Sequence, residues 1–308
     1  MSFSVASASL LKDLYARMLL TRMVDDGAYE LWQKGRIGFA ATCRGHEAAQ
    51  IGSAVCIEVG RDFTLPYYRD LGVVLTIGMT PYEVFRTYLL AHGRPTADGE
   101  SEALSKPAAS ERQPVLHWGY QKRNTITGAA PVATQILHAA GIAFACKLRK
   151  ESAITVAYCG DGATAEPDFL EGITFAVQHQ LPVIFICEQD CSDSHRSPLE
   201  DLLLPDELER RCVNGSDVIA VYLAMQEAVK RARNARGPVL LEMRVSRSLV
   251  GQAEVVLNQE DGKSDPLLYC ERLMRERGLW DEEWAAQLNA RTREEVKQAM
   301  EDALRDAS

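Results

Sequence analysis

Ile154 to Asp193 reads ITVAYCGDGATAEPDFLEGITFAVQHQLPVIFICEQDCSD, and this stretch decides the fold. It opens with β-branched and apolar residues, turns at Gly160-Asp161-Gly162, carries a helical pattern of about five turns, and returns as an apolar run from Val183 to Cys187. Strand, helix and strand in that order form the crossover unit of a parallel sheet. Both strands deliver polar groups to one edge: Asp161 just past the first, and Glu188, Gln189 and Asp190 just past the second. Ligands of open α/β sheets sit at the carboxyl ends of the strands, so a site is expected here.

Two chemistries compete for that edge. Gly160, Gly162 and Ala165 have the G-x-G-x-x-A spacing of a dinucleotide turn, and Glu188 is then a candidate for holding a ribose hydroxyl. Asp161 opposes this reading, because its carboxylate would face a pyrophosphate with like charge unless a cation stood between them. A divalent metal resolves the conflict. Mg²⁺ takes oxygen ligands and is commonly shared between one or two side chains, waters and phosphates. Asp161 and Asp190, 29 positions apart at the tips of neighbouring strands, suit that role. The plainer alternative makes them a solvated turn residue and a solvated loop residue.

Composition sets the limits. With 308 residues, 46% hydrophobic and 25% charged, the chain can bury a large core, as one big α/β domain or one with a helical extension. Its net charge is −9, without a basic cluster long enough to track phosphates, so nucleic acid is not an expected partner. No apolar run reaches membrane-spanning length, and the first residues lack the pattern of a signal peptide. A cytoplasmic location is the expectation. The eight cysteines show no C-x-x-C spacing and read as reduced thiols, with Cys191 beside the metal loop the one candidate for reactivity.

Working outward, Leu10, Leu11, Leu14, Met18, Leu19, Met23 and Leu31 predict an amphipathic helix over residues 9 to 35. Arg44 to Val59 reads as a second helix, with His46 near its start facing either a ligand or a packed hydrogen-bond partner. Tyr67, Tyr68 and Arg69 follow Pro66 at the end of a short extended segment. An arginine there suits a diphosphate, because its planar fork makes bidentate, permanently charged hydrogen bonds; a surface pair with Asp70 or Asp62 is the alternative. Residues 91 to 113 read as a long loop. Thr127 to Gln135 is a second small-residue turn before a helix. Val218 to Ala235 reads as a helix, Pro238 to Val245 as a buried strand, and Asp265 to Asp306 as a charged helical tail suited to packing or to a subunit surface.

The chain resembles thiamine diphosphate enzymes, which carry GDG followed some thirty residues later by an asparagine pair. More narrowly it is similar to the α subunit of the decarboxylating first component of 2-oxo-acid dehydrogenase complexes, of the pyruvate, acetoin and branched-chain type. GDGATAEPDFLEGITFAVQHQLPVIFICE carries the likeness, with RGHEAAQIGSA at 44 to 54, PYYRDLGV at 66 to 73, APVATQILHAAGIAFACKLR at 130 to 149 and DPLLYCERLMRERGLWDEE at 265 to 283. The resemblance implies one thiamine diphosphate-binding domain over 1–308, a doubly wound, mostly parallel α/β fold. Within it, 1–60 would be helical, 61–250 the α/β core, and 251–308 a loop and helical tail. It implies that Tyr68 and Arg69 contact the diphosphate, and that Ala130 and Val132 lie along the aminopyrimidine. Gly160, Asp161, Gly162, Ala163 and Asp190 would complete the cofactor site, with Mg²⁺ on Asp161, Asp190 and the carbonyl of Ser192. His117 is similar in position to a histidine near the cofactor phosphate. Some relatives place a K⁺ ion at positions equivalent to Ala129, Pro131, Thr134 and Gln135. The resemblance further implies an α2β2 assembly, in which a β chain supplies the glutamate that activates the cofactor. The reaction would be decarboxylation of a 2-oxo acid, with the acyl unit passed to a lipoyl group.

Two departures qualify that activity. Where relatives have two asparagines and then a tyrosine, this chain has Gln189-Asp190 and Ser192. The aspartate adds negative charge beside a diphosphate, which calls for tighter cation binding or a nearby base such as His195 or Arg196. Relatives also carry a histidine in the loop after the strand LLEMRVSR, whereas residues 246 to 262, SRSLVGQAEVVLNQEDG, contain none. Unless His195 substitutes, acyl transfer loses a proton donor worth on the order of 10²–10⁴ in rate. A two-carbon ketol or acyl transferase acting on an acyl carrier protein, and a non-catalytic cofactor-binding subunit, therefore stand as alternatives.

Overall fold

The computed structural model describes residues 7–90, 118–128, 131–191, 197–247 and 265–307. Among the described residues, five apolar or alternating segments form strands β1 (Phe63–Leu65), β2 (Thr155–Gly160), β3 (Val183–Asp190), β4 (Glu209–Asn214) and β5 (Val239–Val245). All pair in parallel, in the spatial order β1-β2-β3-β5-β4. Side chains alternate across the pleat. Val156, Tyr158, Ile184 and Ile186 pack beneath α2 (Glu47–Ala54), α3 (Leu71–Thr76) and α7 (Val218–Arg233). Ala157, Cys159, Phe185 and Cys187 pack on the opposite face beneath α5 (Thr134–Leu148) and α6 (Pro167–Gln178). Each fully buried Val, Ile or Phe stabilises by about 1.5–3 kcal/mol. A sheet covered on both faces therefore holds its carboxyl edge rigidly, and this is the doubly wound α/β class expected.

Three boundaries differ from the sequence reading. β3 runs on to Asp190, so Glu188 and Gln189 are strand residues, with Glu188 in register with Gly160 and Met243. The turn after β2 does not enter a helix directly. Asp161–Ala165 is a 3-10 turn, and Glu166 is extended (φ −89°, ψ 140°) because Pro167 disfavours helical backbone in its predecessor. The second helix stops at Ala54, its end tightened by hydrogen bonds from Cys56 to Ser53 and from Ile57 to Ala54.

The amino-terminal helix α1 (Ala8–Gln33) packs against the carboxyl-terminal part of the chain. Leu11, Leu14 and Met18 share a cluster with Leu267, Cys270 and Met274 of α8 (Pro266–Glu276) and with Leu288 of α9 (Glu282–Ala307). α1 and α9 run side by side in the same direction: Tyr15 lies 5.8 Å from Trp284, and Gly27 lies beside Val296 and Phe85. All eight cysteines are unpaired. Burial raises the Cys191 thiol above its ordinary range, which lowers the reactivity considered for it. Among the described residues, no helix is long and apolar enough to cross a membrane.

Candidate functional site

Asp161 and Asp190 come together at the carboxyl edge of β2 and β3. Asp161 Oδ1 accepts a hydrogen bond from the Gly162 backbone at 2.8 Å, and its Oδ2 accepts from the Asp190 backbone at 3.3 Å. Both oxygens are thus oriented by main-chain donors, and each retains a further lone pair. Thr164 Oγ1 donates to the Asp161 carbonyl at 2.7 Å and fixes the 3-10 turn. A Cβ on Gly162 would meet nothing within 4 Å, so this part of the turn faces open space.

Next to them, β1 delivers Tyr68 and Arg69. Arg69 Nη1 donates to the Thr42 carbonyl at 2.6 Å, and its guanidinium lies 5.3 Å from the Tyr68 ring centre. Trp118 holds the same segment by donating to the Tyr68 carbonyl at 3.1 Å. Arg69 therefore faces neither Asp70 nor Asp62; Asp62 pairs instead with Arg233 at 2.6 Å. Val132 is 51% exposed in the turn that enters α5, and Gly128 of that turn touches the Pro66 carbonyl so closely that a Cβ would stand 2.9 Å away. Gln135 Nε2 donates to the Tyr158 carbonyl at 3.0 Å. His117, Ala129, Ala130, Ser192, His195 and Arg196 lie outside the described residues.

The negative charge of Asp190 is met from a quarter the sequence did not indicate. Arg247, just past β5, lies with Nε 3.3 Å from Asp190 Oδ2, and its backbone N–H donates to Oδ1 at 3.3 Å. Arg247 is thus one cation on Asp190 among the described residues; His195 and Arg196, the bases expected from the sequence, lie outside them.

Beneath this edge lies a buried polar layer. Glu188 Oε2 accepts from His46 Nδ1 at 2.7 Å, from the Tyr67 hydroxyl at 2.8 Å and from Gln50 Nε2 at 3.3 Å. Gln50 Oε1 accepts from the Gly72 backbone, and Asp70 Oδ2 accepts from the Tyr67 backbone at 2.7 Å. Burial and the charge of Glu188 push the Asp70 carboxyl well above the usual range. The network joins β1, α2, α3 and β3, and no single segment reveals it. Glu188 is 1% exposed, so its suggested role in holding a ribose is overturned: the carboxylate faces His46 and Tyr67. The helix also begins only at Pro167, so a dinucleotide turn leading straight into a helix is absent. His46 is a packed residue, 2% exposed.

A second buried acid supports Arg69 indirectly. Asp25 accepts from the Thr42 hydroxyl at 2.6 Å and from the Cys43 backbone at 3.1 Å, which fixes the loop whose carbonyl receives Arg69. Burial raises the Asp25 carboxyl from 3.8 to about 6, against the pull of those two hydrogen bonds. The folded state thus keeps a proton that the unfolded chain releases at lower pH. Stability contributed by the protonated form is full below about pH 4 and is lost as pH rises towards 6, by up to about 3 kcal/mol. Asp25→Asn is expected to raise the melting temperature at pH 7.5 by roughly 2–6 °C, with a smaller gain at pH 4. Melting curves at the two pH values check this, and an equal gain at both would contradict it.

Among the described residues, no cluster of three or more His, Cys, Asp or Glu forms a metal site. This part of the chain offers a cation two carboxylates, and further ligands would be carbonyls, waters or an anion. Hard dications such as Mg²⁺ bind in that way.

Comparison with known proteins agrees with the arrangement. The model of the family described as "Dehydrogenase E1 component" matches residues 15–190 and 210–308. The break coincides with the segment after Asp190 that departs from the expected pattern. The chain is 35% identical to the 2-oxoisovalerate dehydrogenase subunit alpha of Bacillus subtilis (strain 168) over 291 residues, covering 88% of this chain and 83% of that protein. It is 30% identical to the pyruvate dehydrogenase E1 component subunit alpha of the same strain over 315 residues, covering 95% and 77% of the two chains. A mitochondrial 2-oxoisovalerate dehydrogenase subunit alpha 1 of Arabidopsis thaliana is 30% identical over 320 residues, covering 98% and 64%. A family match over most of the chain, with the two carboxylates converging where its ligand edge lies, leads to one conclusion: this chain belongs to the dehydrogenase E1 component family, among its alpha subunits.

Proposed function

We propose that this chain is the α subunit of a thiamine diphosphate-dependent enzyme that decarboxylates a 2-oxo acid and passes the acyl unit to a lipoyl carrier. The observation that carries the reading is the convergence of Asp161 and Asp190 on adjacent strand tips, with Arg69 in the turn that follows the neighbouring strand β1. Two carboxylates suit a dication, and a permanent cation beside them suits the anion that the dication holds. In this reading Asp161, Asp190 and the Ser192 carbonyl hold Mg²⁺. Tyr68 and Arg69 hold the diphosphate, Gly160, Gly162 and Ala163 let it approach, and Ala130 and Val132 lie along the aminopyrimidine. K⁺ near Thr134 and Gln135 belongs to the same proposal. When bound, thiamine diphosphate supplies a nucleophilic carbon and an electron sink.

The chain's own work is binding and orientation. Arg69 is steadied by the Thr42 carbonyl, so its charge is placed before the ligand arrives. The Glu188 network ties β1 to β3, and so fixes the spacing between Arg69 and the aspartates. His117 and His195 are the proposed proton carriers, with a partner β chain supplying the activating glutamate in an α2β2 assembly in the cytoplasm. One observation favours a second reading, a ketol or acyl transferase with an acyl carrier protein as acceptor: residues 246 to 262 contain no histidine.

The test is turnover by the chain co-purified with its β-type partner, against a panel of 2-oxo acids and ketose phosphates. Lipoyl and phosphopantetheine carriers would be offered in turn. Release of CO₂ from a 2-oxo acid, dependent on thiamine diphosphate and Mg²⁺ and coupled to the lipoyl carrier, is the expected result. Transfer only to the phosphopantetheine carrier would favour the second reading. Absence of metal-dependent cofactor binding would overturn both.

A further inference from the structure

We propose that Arg247 is a positioning residue for the dication and diphosphate: its guanidinium neutralises Asp190 and holds that carboxylate beside Asp161, so that two acids can share one site with an anion. The inference rests on the preceding functional reading.

Asp190 Oδ2 lies 3.3 Å from Arg247 Nε, and Oδ1 accepts the Arg247 backbone N–H at 3.3 Å. Both carboxylate oxygens are therefore addressed by one residue. An exposed ion pair of mobile side chains would contribute little. This pair is pinned on several sides. The Asp190 backbone donates to Asp161 Oδ2, and the Cys191 backbone donates to the Val245 carbonyl at 2.8 Å, which extends the β3–β5 pairing past Asp190. On the Arg247 side, Gly45 has φ +94° and abuts the backbone of Ser246 so closely that a Cβ would stand 1.9 Å from its carbonyl oxygen. The Asp190 and Arg247 side chains are 22% and 38% exposed, so the charges meet at the rim of the cleft rather than in bulk water.

The charge balance gives this geometry its purpose. Two carboxylates and a diphosphate together outweigh a dication, and like charges a few ångströms apart repel strongly where solvent is partly excluded. Arg69 offers a cation on the β1 side. Arg247 offers one on the β5 side, directly on the acid that adds the surplus charge. A carboxylate oxygen with two lone pairs can keep its hydrogen bond to Arg247 while turning the other pair to a metal. Such outer partners typically alter metal affinity by roughly 10–10²-fold.

The test measures binding to the chain co-purified with its β-type partner by calorimetry, with Mg²⁺ plus inorganic pyrophosphate and with Mg²⁺ plus thiamine diphosphate as probes. Arg247→Gln is expected to weaken binding by roughly 10–10²-fold when Asp190 is present, and by less than about threefold in an Asp190→Asn background. Arg247→Lys should recover part of the loss. Melting curves run beside the titrations identify any variant that fails to fold, and the Asp190→Asn background provides the comparison in which Arg247 has no charge to neutralise. Equal weakening in both backgrounds would overturn the inference, as would indifference to Arg247→Gln beside Asp190. Failure of the unaltered chain to bind either probe would overturn the functional reading and this inference with it, whereas binding by the unaltered chain with no effect of Arg247→Gln would remove only the inference.

Discussion

Asp161→Ala is expected to weaken binding of thiamine diphosphate with Mg²⁺ by on the order of 10²–10³-fold, the cost of removing one member of a charge pair that its surroundings do not replace. Asp161 contributes twice. Its carboxylate is the acid nearest the end of β2, and the same carboxylate accepts hydrogen bonds from the Gly162 and Asp190 backbones. Alanine removes a ligand and also releases the Asp190 backbone, so the second acid loses its fixed relation to the first. Asp161→Asn keeps an acceptor of the same shape and loses the charge, and should fall between the two. Calorimetric titration with and without chelator measures all three proteins. Affinity for the metal-loaded cofactor unchanged in Asp161→Ala would remove the metal assignment.

The largest loss of stability is expected from Glu188→Ala, about 3–5 kcal/mol, a decrease of roughly 6–15 °C in melting temperature. Glu188 accepts from His46, Tyr67 and Gln50 where water does not reach. Alanine leaves the His46 and Tyr67 donors without this acceptor in the interior, while Gln50 Nε2 keeps the Arg69 carbonyl at 3.2 Å, and each unsatisfied group costs about 1–3 kcal/mol before relaxation. Glu188→Gln keeps an amide oxygen for two of the donors and removes the charge that raises the Asp70 carboxyl. It should cost less than half as much as alanine. Chemical denaturation of the two variants provides the comparison, and equal losses would show that volume rather than hydrogen bonding sets the effect.

These residues also show what the sequence could convey. The strand, turn and strand around Gly160 were legible because apolar runs bounded by a glycine turn permit few other folds, and Asp161 and Asp190 could be paired from the topology alone. The three polar residues Glu188, Gln189 and Asp190 concealed the true end of β3, since a strand at a ligand edge need not remain apolar. β4 was missed for a related reason: Glu209, Arg210 and Arg211 are acceptable on an edge strand, yet nothing in their pattern announces one. The late start of the helix that follows β2 had a visible signal in Pro167, which a reading guided by apolar spacing passed over. Glu188 and His46 stand 142 positions apart, and Asp190 and Arg247 stand 57 apart. Pairings of that kind are created by the fold, and only the fold displays them.

The parallel run of α1 beside α9 has a consequence for biosynthesis. During translation the apolar stripe of Leu11, Leu14 and Met18 leaves the ribosome long before Leu267, Cys270, Met274 and Leu288, which complete the cover begun by Ala48 and Ile51. At about 5–20 residues per second, that stripe waits for tens of seconds without its full cover. The nascent protein must therefore shelter a greasy first helix, by chaperone or by transient self-association, until its distant mate has been synthesised.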